Sequence, residues 1–230
     1  MKYFNDFSEV VDLKKVLNAI LAAVFMISSF SCCCTVSADD SDVFEYYEAT
    51  SDLLYLKKDY MNLNVKNIVI PDTYSGNIIS RVALVNDADF NPFTEDNVTE
   101  SITYNRNIKD TSSAGVRYEL ARFRALKTVK YLYDGADFVL QSNLAYNSTY
   151  TNSNINEVYI YASGISTIGG KQVFRGFPSD LKIYVTSEAV KNQIVTATAG
   201  GSYPVQASQI EVMQATKPTS SITISCANIA

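Results

Sequence analysis

Few residues in this chain could do chemistry. It has no histidine, so the usual proton shuttle and the commonest metal ligand are both missing. Cys32, Cys33 and Cys34 are consecutive, and Cys226 lies in a polar stretch with no imidazole to activate it. Ser179 and Lys182 have the Ser-x-x-Lys spacing that pairs an acyl-transfer nucleophile with a base. So short a pattern recurs by chance. It also spans the entry of a β-patterned segment, where Leu181 and Ile183 compete for the interior, so a strand entry is expected there. Asp87-Ala-Asp89-Phe-Asn91 opens like a calcium loop, but Pro92 stands where that loop needs glycine and Val98 where it needs glutamate. A solvated acidic loop is expected instead. Glu45 with Glu48, and Glu95 with Asp96, are neighbouring carboxylates, but glycoside hydrolysis needs a defined separation across a cleft, which these spacings do not define. Gly169-Gly170 and Gly200-Gly201 stand outside any phosphate-loop pattern. No catalytic, cofactor-binding or metal-binding residue is therefore expected, and no cofactor.

The chain has 230 residues, 47% hydrophobic and 19% charged, which is enough for one medium domain or two small ones with a real core. A formal net charge of −5 lacks the cationic footprint that phosphate backbones require and argues against nucleic acid as a partner.

The N-terminus bears on location. Lys14 and Lys15 precede an uncharged run from Val16 to Phe30, shorter than the roughly 20 residues a spanning helix needs. Val36-Ser37-Ala38 follows, with small residues placed for signal-peptidase cleavage after Ala38. The alternatives are an uncut anchor and a lipid on Cys32, although Ser29 and Phe30 fit a lipid-attachment site poorly. Cleavage would leave Cys226 as the one cysteine, with no intrachain disulfide. The expected organisation is a signal peptide over 1–38, an N-terminal cap over 39–64, a repeat body over 65–213 and a polar tail over 214–230. The expected location is secreted or at the cell surface, with the membrane involved through the signal alone. An exported chain without disulfides fits a bacterial or archaeal surface better than an animal secretory pathway.

The body reads as a repeat. Segments 65–70, 99–104, 126–131, 155–160, 180–185 and 207–212 each follow the pattern apolar-x-x-apolar-x-apolar, Thr99 and Asp180 being the exceptions among the flanking slots. Their fourth residues, Ile68, Ile102, Val129, Val158, Ile183 and Ile210, recur every 25 to 34 positions. Leu120-Ala-Arg-Phe123 and Phe174-Arg-Gly-Phe177 sit at equal distances before two of these anchors, and Ile79-Ser-Arg-Val82 echoes Ile165-Ser-Thr-Ile168. Sandwich strands recur every 8–12 residues, so the longer period favours stacked coils, each a short parallel strand, a turn and a return segment with an apolar plug. The expected fold is mainly β with short helices and turns: a short leucine-rich-repeat-like solenoid with one parallel sheet and an N-terminal cap. The apolar spacing of Val116, Leu120, Phe123 and Leu126 predicts a short helix over 117–126. The cap could be a hairpin or a short helix.

The stretch Ile155 to Val190, INEVYIYASGISTIGGKQVFRGFPSDLKIYVTSEAV, resembles the BspA-like leucine-rich repeat of bacterial and archaeal surface proteins. Val65 to Val82 is similar, while 83–150 is irregular and interrupted by asparagines. Phe177 stands where that family usually has cysteine after the turn glycine. The resemblance implies an opening hairpin cap and adhesion or host-matrix binding.

Binding is the function class left open. The outward strand slots include Lys130, Tyr159, Tyr161, Lys182 and Tyr184, with Tyr159 and Tyr184 at matching places of adjacent coils. Tyrosine gives large amphipathic contact area and is enriched at interfaces; a solvated ladder stacking coil on coil is the plainer use of the same residues. The leading expectation is an exported, non-enzymatic repeat protein that contacts a protein or glycan ligand. The competing class is a cell-envelope hydrolase or enzyme accessory domain, which would show two facing acids in a cleft.

Overall fold

Short β-branched segments with period-two alternation can bury one face only if something covers it. Here the return segments supply the cover, and stacked coils share the core. In this computed structural model the described residues are 43–46, 52–57, 63–83, 98–111, 120, 123–142, 144–145 and 154–214. The signal segment, the Asp87–Asn91 loop, Glu48, Glu95, Asp96, Cys226 and half of 117–126 lie outside them.

Six strands form one sheet: β3 (Asn67–Val69), β7 (Ser101–Tyr104), β8 (Thr128–Tyr131), β10 (Glu157–Ile160), β12 (Lys182–Val185) and β13 (Ile210–Val212). They follow each other in chain order across the sheet, and every neighbouring pair is parallel. Parallel neighbours need a long return between them, which the repeat period provides. The register aligns Ile68, Ile102, Val129, Val158, Ile183 and Ile210 in one continuous row, each at most 2% exposed. These are the six anchors of the sequence pattern. The protein is a short β-solenoid.

A second interior row carries Tyr104 and Tyr131, whose rings stack at 4.9 Å and 10°, with Phe138 tilted against Tyr131. Burial holds the Tyr131 phenol far above its ordinary pKa.

The return segments repeat as well. In the two matching tetrads the Phe123 N–H donates to the Leu120 carbonyl at 3.2 Å and the Phe177 N–H to the Phe174 carbonyl at 3.3 Å. The next turn matches too, Leu126 to Phe123 and Leu181 to Pro178, both at 3.2 Å. Leu120, Phe123 and Phe174 are buried, and Phe177 packs edge-on against Phe174 at 5.6 Å. The described part of 120–126 is thus a pair of tight turns. Beyond the turns, β9 (Phe138–Leu140) pairs in parallel with β11 (Ile165–Ile168), and Asp110 bridges Val139.

Near the N-terminus β1 (Phe44–Tyr46) and β2 (Leu53–Leu56) are antiparallel, and β2 runs parallel to β6 (Arg81–Ala83). A two-residue turn, Ser75 (φ 46°) and Gly76 (φ 84°), joins β4 (Thr73–Tyr74) to β5 (Asn77–Ile78). Positive φ at both positions is the type I′ geometry that matches strand twist. Beyond β12 runs the α-helix α1 (Glu188–Thr198), and a single 3-10 turn, Ala207–Gln209, leads into β13. Ser187 caps α1 by accepting the Val190 N–H at 3.3 Å, and Val190, Ile194 and Thr198 face the core. No helix among the described residues is long and apolar enough to cross a membrane.

Buried Asn105 locks one coil to the next. Its Nδ2 donates to the carbonyls of Pro71 at 2.5 Å and Ile79 at 2.9 Å, while its Oδ1 accepts the N–H groups of Asn107 and Ile108. All four of the amide's bonding positions are used.

Candidate functional site

Inward alternation in the parallel sheet forces the other residues of each strand outward, and equal register lines them up in rows. One outward row reads Val69, Thr103, Lys130, Tyr159, Tyr184 and Glu211. Each is the residue immediately after a buried anchor. Tyr159 and Tyr184 are partly buried, with ring centroids 4.4 Å apart and planes 13° from parallel. Lys130 Nζ lies 5.2 Å from the Tyr159 ring centre, within cation–π range. The parallel row thus runs cation, aromatic, aromatic, acid.

The adjoining outward row reads Asn67, Ser101, Thr128, Glu157 and Lys182. Ser101 Oγ donates to Asn67 Oδ1 at 2.6 Å, and Glu157 accepts from Thr128 Oγ1 at 3.2 Å and from Tyr159 OH at 3.4 Å. Lys182 Nζ stands 3.7 Å from Glu211 and 3.5 Å from the Ser208 carbonyl. At the strand entries Glu100 lies between Lys66 at 3.2 Å and Lys127 at 4.0 Å. Exposed pairs of this kind contribute little stability; they fix side chains and leave the face nearly balanced in charge.

The Tyr159 phenol is pushed up to about 12, chiefly by burial and then by the nearby Glu157 carboxylate. Tyr184 moves the same way, from burial and from Glu211 and Glu157, and Tyr161 from burial alone. All three therefore present neutral hydroxyls at physiological pH. Stacking along the solenoid axis turns the flat faces of Tyr159 and Tyr184 toward each other. Both rings remain partly exposed, and the Tyr159 hydroxyl donates to Glu157.

The structure brings Lys130, Tyr159 and Tyr184 into contact. Tyr161 follows just past the end of β10 and Lys182 sits one row over, facing Glu211. Ser179 lies in the turn before β12, while the Lys182 ammonium is committed to Glu211 on the strand face. Glu157 and Glu211 belong to the site although residue type alone does not single them out. Glu211 takes the slot after anchor Ile210, so carrying the row one coil further locates it. Among the described residues no three acidic or cysteine side chains gather to hold a metal ion.

No protein family, no curated protein and no solved structure matches this chain.

Proposed function

We propose that this chain is an exported, non-enzymatic surface or secreted repeat protein whose outward strand face binds a protein or glycan ligand, in the manner of an adhesin. The observation that carries this reading is the row Lys130, Tyr159, Tyr184 and Glu211. It places two stacked, un-ionised tyrosines between opposite charges on a rigid parallel face. Tyrosine flanked by charge is the composition of recognition surfaces. Export is supported by Lys14-Lys15, the apolar run that follows and Val36-Ser37-Ala38. The resemblance to BspA-like repeats points the same way. The acidic chain speaks against nucleic acid as ligand.

The test is to probe arrays of immobilised proteins and glycans with the full chain and to run peptidase, esterase and glycosidase screens beside them. Saturable binding without turnover is expected. Turnover that disappears on Ser179→Ala or Glu95→Gln would replace this reading with a hydrolase. N-terminal sequencing of secreted material should begin at Asp39; a start at Cys32 with added lipid mass would contradict the cleavage.

A further inference from the structure

After α1 the chain must turn sharply to reach β13, and Gly200 (φ +67°) and Gly201 make that turn. A Cβ at Gly201 would come within 2.6 Å of Lys171 Cβ, so glycine is required there. Thr198 then holds the outgoing segment: its Oγ1 donates to the Ile194 carbonyl at 3.0 Å and accepts the Val205 N–H at 3.2 Å. This lays Ser202 to Val205 opposite the Phe174–Phe177 turn of the preceding coil and borders a half-open cleft of about 300 Å³. That is the small end of the range for ligand cavities, room for one ring-sized group.

The lining is specific in type. Phe174, Phe177 and Pro178 form one side, and Tyr203 and Pro204 the other. Phe174 is buried, whereas Tyr203 is 40% exposed, with the Arg175 guanidinium 5.9 Å from its ring centre. Exposed Ser179 and Ser202 add hydroxyls. The Gln209 amide is already spent: Nε2 donates to the Ser179 and Leu181 carbonyls and Oε1 accepts the Gln206 N–H. Among the described lining residues there is no Asp, Glu, Lys or Arg. Aromatic and proline walls with exposed serine hydroxyls, and with the Arg175 cation set against the Tyr203 ring and not among the lining residues, complement a neutral ligand that has both C–H faces and hydroxyl groups. Aromatic faces carry partial negative charge and attract polarised C–H bonds.

We propose that this cleft is a second binding site, distinct from the strand face, and that it takes one ring of a neutral pyranose sugar. The glycine pair and Ser179 then serve in building it: the glycines turn the chain to form the Tyr203 wall, and Ser179 supplies a hydroxyl. A proline-rich peptide is the other occupant that aromatic walls could accept, but such a ligand runs along a groove several residues long, whereas this half-open cleft has room for about one ring.

The test is an NMR titration of the full chain with the methyl pyranosides of glucose, mannose and galactose, and separately with a decaproline peptide. At least one pyranoside should bind saturably. Tyr203→Ala should weaken it by about tenfold or more, and Tyr203→Phe should largely preserve it. Unchanged thermal melting of the Tyr203 variants separates lost contact from lost fold. Failure of all three sugars to bind, binding indifferent to Tyr203→Ala, or Tyr203-dependent binding of decaproline alone would each overturn the proposal. None of these results bears on the strand face, which is tested through Tyr159 and Tyr184.

Discussion

Tyr159 and Tyr184 occupy one register position on adjacent parallel strands, and their rings stack at 4.4 Å and 13°. Each is partly exposed, so neither anchors the core. The single changes Tyr159→Ala and Tyr184→Ala should each cost about 1 kcal/mol, with a coupling of about 0.5–1 kcal/mol between them. A double-mutant cycle by denaturant unfolding checks this. A cost of core size at either position would mean that the pair is structural and not displayed.

Phe174 should behave in the opposite way. It is 3% exposed and meets Phe177 edge-on, plugging the turn between β11 and β12. Phe174→Ala should destabilise by about 3–5 kcal/mol, read as a fall in the denaturant midpoint at constant slope. A cost below about 1 kcal/mol would contradict its role as a plug.

Asn105 supplies a polar test of the same stack. Asn105→Ala orphans the carbonyls of Pro71 and Ile79 and the N–H groups of Asn107 and Ile108. The expected cost is about 2–4 kcal/mol. Asn105→Asp should be worse at neutral pH, because a carboxylate would face two carbonyl oxygens, and it should recover partly on acidification as that carboxyl takes up a proton. Unfolding curves at two pH values distinguish the variants.

Asp52 pins the start of β2 to β6. Arg81 grips its carboxylate through Nη2 at 2.5 Å and Nε at 2.9 Å, and Ser80 Oγ donates at 2.7 Å. These bonds, that from Arg81 foremost, hold its pKa at about 2, below the ordinary 3.8. A depressed carboxyl stabilises the fold above its unfolded pKa. The contribution is therefore complete above about pH 4 and fades as pH falls toward 2. The pair is about a third exposed, so after solvent screening the effect is about 1 kcal/mol or less. Comparison of acid unfolding with and without Asp52→Asn should show the two proteins converging in stability across that window.

The strand face was legible because its anchors are apolar and evenly phased. Fixing Ile68, Ile102, Val129, Val158, Ile183 and Ile210 as inward places Lys130, Tyr159 and Tyr184 outward in one row by alternation alone. Asn105 was not legible, since a pattern of apolar slots treats a polar residue after a strand as loop, and only the fold brings Pro71 and Ile79 within its reach. Helix α1 carries its own signals, a Ser187 cap and apolar Val190 and Ile194 four apart, which a pattern fitted to strand slots passes over. The turn cleft depends on 174–178 meeting 202–205, a contact that neither segment shows alone.

Ligand binding by the outward row of Lys130, Tyr159, Tyr184 and Glu211 is what the proposed function rests on. The most direct measurement is surface plasmon resonance of the full chain against the strongest protein or glycan found on the arrays, wild type beside a folded Tyr159→Ala/Tyr184→Ala double variant. The account predicts saturable wild-type binding and a loss of affinity of about a hundredfold in the variant, about 1.4 kcal/mol per ring. Equal affinity of the two proteins would contradict it.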